Sequence, residues 1–181
     1  VLKPKSIEKA IKLMEVLEIV EIKDNEPYIS ESFSPMSMIN PASLAFMLHG
    51  GNSHQVYESR LITECHAASL AAERRTEDEV EILKTIIDRM ERYPDTNADR
   101  DFHFIISKMT KNKLMYYQTM SMINLTSSFI ANSMIQFVEA YSPEVVYKIH
   151  SDIYEAIKNQ QTQEAYSAMK KHFDLLEKFY Q

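Results

Sequence analysis

The sequence predicts an all-α fold: an antiparallel bundle of six to seven helices after residue 40, preceded by one helix and a small β-hairpin. Three observations carry this reading. Apolar residues recur at helical spacing through most of the chain after residue 40. Strong helix starts stand at Thr76-Glu77-Asp78-Glu79 and Ser142-Pro143-Glu144. The 181 residues include only two glycines and six prolines, too few for a loop-rich β chain.

The elements follow in order. Over residues 6–18, Ile7, Ala10, Ile11, Met14 and Leu17 form one apolar stripe. Ile19-Val20-Glu21-Ile22 and Pro27-Tyr28-Ile29-Ser30 flank Lys23-Asp24-Asn25-Glu26, which reads as a hairpin. Residues 31–40 carry Ser, Pro, Met and Asn without period and read as a linker. A short helix runs from Pro41 to His49 and stops at Gly50-Gly51. Ser53 is placed to cap a long helix reaching about Arg75. The capping box Thr76 to Glu79 starts a helix with Val80, Leu83, Ile86, Ile87 and Met90 inward, ending before Pro94. Asp95 or Thr96 begins the next, to about Thr110, and a long helical stretch runs from Asn112 to Ala140. Ser142 at the N-cap, Pro143 at the first position and Glu144 in the first turn open a helix to about Lys158. The last helix covers Thr162 to Phe179.

Charge and composition exclude several roles. A net charge of −6 argues against nucleic-acid binding by the bulk of the chain, because phosphate neutralisation needs a surplus of Lys and Arg. No apolar run approaches the roughly 18–20 residues of a membrane span, and Val1-Leu2-Lys3-Pro4-Lys5 lacks a signal-peptide core. The single Cys65 excludes an intramolecular disulfide and a Cys-rich zinc module, and it fits a reducing cytoplasm. It reads as a small packed residue. His49, His54 and His66 read as surface histidines, and the eleven methionines as core filling.

Four residues point to chemistry. Asp99 and His103 are four apart on one helix and project from the same face. Phe102 and Ile106 flank His103 and turn it toward the core. His150 and His172 lie on the last two helices, and their midpoint, residue 161, falls in the turn Asn159-Gln160-Gln161. Each therefore stands about 16 Å along its helix from that turn. Antiparallel helices mirror each other about their connection, so the two imidazoles should be neighbours. An Asp-His-His-His set suits zinc, nickel, manganese or iron. One carboxylate against a divalent ion leaves a net positive centre whose open positions attract a carboxylate ligand. Two other readings stand beside a ligand-responsive one. Such a set could activate water in a hydrolase-like metalloenzyme, with Glu64 the nearest candidate base. The bundle could also be a metal-free dimerisation module with hydrogen-bonded core histidines.

At these residues the sequence resembles FadR-subfamily regulators of the GntR family of transcription factors. Arg60-Leu61-Ile62-Thr63-Glu64 followed by Ala67-Ala68-Ser69-Leu70-Ala71-Ala72 resembles the family's R-x-x-x-E and A-x-L-A-A segment. Asp99-Arg100-Asp101-Phe102-His103 matches D-x-x-F-H, and Asn112 with Leu114 matches N-x-L. His150, Ala156-Ile157, Ala165, Met169 and His172 match the C-terminal H…A-I…A…M…H pattern.

The resemblance implies a non-enzymatic, ligand-responsive regulator. Residues 34–181 would form an FCD-type domain for metal binding, effector binding and homodimerisation. Asp99, His103, His150 and His172 would hold a divalent metal beneath a small organic-acid effector, with Arg60 near the effector carboxylate. The helix at residues 41–49 resembles the FadR type rather than the shorter VanR type. Residues 1–33 resemble the recognition helix and wing of a partial winged helix-turn-helix, with Lys3, Lys5, Lys9 and Lys12 available to operator DNA phosphates and Glu8 opposing them. The family's two preceding helices are absent from this sequence, and the wing glycine is missing near Glu26-Pro27. A truncated or degenerate reader head is expected.

Overall fold

The computed structural model describes residues 3–16, 20–23, 26–29, 45–46, 48–92, 96–124 and 140–180. The chain divides into two compact units, Val1–Asn40 and Pro41–Gln181.

In the first unit, α1 spans Pro4–Val16. It begins two residues before the Ser6 expected from the sequence, because proline presets the helical φ and lacks an N–H that the first turn cannot satisfy. Strands β1 (Val20–Lys23) and β2 (Glu26–Ile29) pair antiparallel, with Val20 opposite Ile29 and Lys23 opposite Glu26. Helix α1 packs on β1. Its stripe is only partly covered: Ile11 and Met14 are half-buried, whereas Ile7 is 45% exposed. Leu17 and the linker at residues 31–40 lie outside the described residues.

The second unit is a helical bundle. Residues 45, 46 and 48 are helical. Gly50 adopts φ 77° and the Gly51 N–H donates to the Phe46 carbonyl at 2.8 Å, so this short helix ends in the left-handed turn that glycine accepts without strain. The rest of the expected Pro41–His49 helix lies outside the described residues.

Helix α2 spans Ser53–Arg74. Its cap is Asn52 rather than Ser53: Asn52 Oδ1 accepts from the Gln55 N–H at 3.0 Å, and Gln55 Oε1 accepts from the Asn52 N–H at 3.2 Å. Ser53 Oγ donates instead to the Tyr180 carbonyl. Helix α3 spans Glu77–Arg92 and starts with the expected reciprocal box between Thr76 and Glu79. Its five inward residues are all buried, from Leu83 at 0% to Met90 at 8% exposure.

Helix α4 spans Thr96–Met109, and residues 113–124 are helical behind an Asn112 side-chain cap. The remainder of the expected 112–140 helix, apart from residue 140, is outside the described residues. Helix α5 spans Pro143–Lys158 with Pro143 in its first turn, but Ser142 makes no side-chain capping bond. Helix α6 spans Thr162–Leu176 and tightens into a 3₁₀ turn at Glu177–Phe179.

Helix α2 is the centre of the packing and touches α4, α5 and α6. Its Ala67, Ala68, Ala71 and Ala72 have no exposed surface, and small side chains let neighbouring helices approach closely. Phe102, Ile153, Met169 and Phe173 complete the core. The arrangement is the helical bundle expected from the sequence, preceded by a helix and hairpin. None of the described helices is long and apolar enough to cross a membrane.

Candidate metal centre

The four sequence-predicted donors converge. Asp99 and His103 come from α4, His150 from α5 and His172 from α6, and one donor atom from each lies within 4.8 Å of all the others. The three histidines are 1–2% exposed. The His150 and His172 ring centroids are 4.8 Å apart, and those of His103 and His172 5.1 Å. The mirror relation holds because Gln160, at φ 55°, closes the α5–α6 connection in a left-handed turn: the Gln161 N–H donates to Ala156 and the Gln160 N–H to Ile157.

The protonation pattern is dictated by the partners. His150 Nδ1 lies 2.8 Å from the Val146 carbonyl, which can only accept, so Nδ1 carries the proton. His150 Nε2 then faces Asp99 Oδ1 at 3.1 Å. Two lone pairs cannot share that gap; a proton or a cation must sit at Nε2. His103 Nε2 lies 3.9 Å from the same oxygen. Both nitrogens of His172, and Nε2 of His103, are buried without a hydrogen-bond partner among the described residues. Leaving such atoms unsatisfied costs about 1–3 kcal/mol each.

Electrostatics follow from burial and neighbours. Burial and the adjacent His150 and His103 push the His172 pKa well below 6.5, so this ring is neutral. Burial raises the Asp99 pKa, but the hydrogen bond from His150 and the nearby imidazoles outweigh it and hold the carboxyl well below its usual range.

Arg60 is buried on α2. Its Nε donates to Glu64 Oε1 at 2.6 Å, its Nη1 to Tyr180 Oη at 3.1 Å, and its guanidinium lies 5.3 Å from the centre of the Phe173 ring. Glu64 Oε2 lies 2.5 Å from His103 Nδ1. Burial raises the Glu64 pKa, but Arg60 and His103 overcome this and hold it at about 2. Arg60 holds one Glu64 oxygen and His103 crowds the other, which makes it a poor free base for water activation. Tyr180 escaped the sequence reading: it lies beyond the last helix, where no periodicity marks it. Glu64 carried a signal, its i,i+4 spacing from Arg60.

Lys3 and Lys5 are exposed at the start of α1, and Lys9 lies along it. His66 is exposed and meets the Ile62 carbonyl and the Tyr166 ring; His49 and His54 are exposed too. Cys65 is buried, and burial pushes its thiol up to about 12, so it is inert at neutral pH.

The structure is a helical bundle in which three buried histidines and the half-buried Asp99 converge. The chain belongs to the FCD domain family, whose profile matches residues 55–175. It is 25% identical over 183 residues to the HTH-type transcriptional regulator LutR of Bacillus subtilis (strain 168), covering 95% of this chain and 82% of LutR. It is 27% identical over 137 residues to the uncharacterized HTH-type transcriptional regulator YcbG of the same organism, covering 74% of this chain and 57% of YcbG. Among solved structures, Streptococcus agalactiae GntR superposes with a TM-score of 0.68 at 21% identity, covering 98% of this chain and 82% of that one. E. coli McbR/YncC superposes at 0.54 and 12% identity, covering 99% and 82%. These likenesses place the chain with transcription regulators rather than enzymes.

Proposed function

We propose that this chain is a FadR-subfamily regulator whose helical domain, residues 34–181, senses a small organic acid through a divalent transition metal. The observation that carries the reading is the state of the donors. His150 Nε2 and Asp99 Oδ1 face each other without room for two lone pairs, and His172 has no partner at either nitrogen among the described residues. A cation among the four residues answers all of these at once.

The donor set fits the group. Neutral imidazoles and one carboxylate suit zinc, nickel, manganese or iron. Two such donors on one ion stand roughly 2.8–3.6 Å apart for angles from octahedral to tetrahedral; the Asp99–His150 pair is at 3.1 Å and the Asp99–His103 pair at 3.9 Å. Asp99, His103, His150 and His172 would hold the ion, which supplies positive charge and open positions for carboxylate oxygens. The protein's part is to keep three imidazoles dry and oriented. Arg60 adds a buried cation that interacts with both Asp99 and His172. We assign it to effector binding through whatever donor capacity its Glu64 and Tyr180 bonds leave free.

In this reading residues 1–33 belong to a winged helix-turn-helix, with Lys3, Lys5 and Lys9 directed to operator phosphates, and the regulator acts as a cytoplasmic homodimer. Effector binding changes DNA affinity only if the acid binds two states of the bundle unequally. The test is elemental analysis of purified protein beside His150→Ala and His172→Ala, followed by operator binding of the intact regulator across a panel of organic acids. About one equivalent of metal, lost in the variants, and an acid-dependent change in DNA affinity are expected. Failure to take up metal after reloading would remove the four-residue assignment. An unchanging DNA affinity would remove the effector.

A further inference from the structure

We infer that Glu64 is a positioning residue for the centre: it accepts the Nδ1 proton of His103, fixes that ring's tautomer and so presents Nε2 to a divalent ion. The inference rests on the metal-binding reading above and adds a residue that does not itself touch the ion.

Glu64 Oε2 and His103 Nδ1 are 2.5 Å apart, on side chains almost wholly withdrawn from solvent. A bare nitrogen lone pair and a carboxylate oxygen would repel strongly at this separation, and a proton on Nδ1 removes that repulsion although the contact is bent away from good hydrogen-bond geometry. Arg60 Nε on the other carboxylate oxygen, at 2.6 Å, keeps Glu64 an anion, so the proton belongs to the imidazole. The lone pair of His103 is then at Nε2, on the side of Asp99 Oδ1.

His150 reaches the same state by another route. Its Nδ1–H donates to the Val146 carbonyl, and its Nε2 faces the same Asp99 oxygen. Two histidines from different helices thus have Nδ1 beside an acceptor and Nε2 on the side of one carboxylate oxygen, at 3.1 Å for His150 and 3.9 Å for His103. On α5 the acceptor is a carbonyl one turn back on the same helix. For His103 it is a side chain from α2, and that side chain must itself be held.

Arg60 and Tyr180 supply that hold. Arg60 binds Glu64 through Nε and Tyr180 through Nη1. Tyr180 is buried, and its carbonyl accepts from Ser53 Oγ at 3.0 Å. The first residue of α2, the C-terminal turn and the metal ligand His103 are joined by one line of polar contacts. A carboxylate partner also makes the imidazole a better donor to a cation, and losing such a partner weakens metal affinity about ten- to hundredfold.

The test uses the full chain and zinc ion alone. Zinc affinity is read by competition with a chromophoric chelator for the unmodified protein, Glu64→Gln and Tyr180→Phe. Long-range proton–nitrogen NMR of the zinc-loaded protein reads the tautomer, with His103 assigned by its loss in His103→Asn. The expected result is His103 protonated at Nδ1 with zinc on Nε2, about ten- to hundredfold weaker zinc binding in Glu64→Gln, and a smaller loss in Tyr180→Phe. Zinc on Nδ1 of His103 would overturn the inference even if Glu64→Gln failed to fold. So would a folded Glu64→Gln that binds zinc as tightly as the unmodified protein. No zinc uptake by the unmodified protein would instead remove the metal reading, and the inference with it.

Discussion

His150 Nε2 stands 3.1 Å from Asp99 Oδ1, across a sequence separation of 51 residues. With Nδ1 committed to Val146, this contact places a proton or a cation between two helices that share no turn. A cation held there would cross-link α4 and α5, and His172 would add α6. Filling the site should stiffen the bundle.

Zinc should raise the melting temperature, because an ion bound only by the folded state stabilises it by mass action. At a hundredfold excess over Kd the gain is about 2.7 kcal/mol. For a chain of this size that corresponds to roughly 5–10 °C. Differential scanning fluorimetry with chelator and with zinc measures it. Equal melting temperatures would count against binding.

Metal-free protein should lose stability as pH falls below 6.5. The folded-state pKa of His172 lies well below the unfolded value of 6.5. Its contribution is therefore complete above 6.5 and declines as the unfolded chain takes up a proton that the native state refuses. One such group contributes a slope of up to about 1.4 kcal/mol per pH unit. Urea titrations at pH 7.5 and 5.5 measure it, and the slope should shrink in His172→Leu.

A second acid-side loss belongs to Glu64. Its folded value of about 2 lies below the ordinary 4.5. The stability from its pairing with Arg60 is complete above 4.5 and falls away as pH drops from there toward 2. Acid unfolding followed by circular dichroism should begin in that window, and Glu64→Gln should flatten the dependence there while lowering stability at neutral pH.

Gln160→Gly should stabilise the protein. Gln160 is exposed and sits at φ 55°, where an L side chain costs about 1 kcal/mol that glycine avoids. The gain is partly offset by glycine's larger freedom in the unfolded chain. A melting temperature raised by 1–3 °C is expected from roughly 0.5–1 kcal/mol, without change in zinc affinity.

Ile153→Ala should cost about 2–5 kcal/mol through lost burial and the cavity left behind, since Ile153 has no exposed surface. Ile62→Ala, on α2 but 64% exposed, should shift stability by less than about 0.5 kcal/mol. Chemical denaturation of the two variants separates them.

Much of this architecture is legible in the sequence. The Thr76–Glu79 box and the inward face of α3 depend on residues within two turns of one another, and local spacing encodes them. The Asn52 cap in place of Ser53 was missed because two adjacent residues compete for one N–H, and a distant acceptor, Tyr180, draws Ser53 away. Ser142 makes no side-chain capping bond either; its hydroxyl bonds the Glu144 carboxylate instead.

By itself the sequence determined the helices of the described residues, the levels of His150 and His172 about their shared turn, and the common face of Asp99 and His103. Helical rise and an antiparallel connection are enough for these. Only tertiary structure decided that the two pairs meet. It also decided that Arg60 points into a buried network and that Tyr180 and Glu64 belong to it. Those contacts span 120 residues in one case and join α2 to α4 in the other. No local period reports them, because they exist only once the alanine face of α2 has let its neighbours close around it.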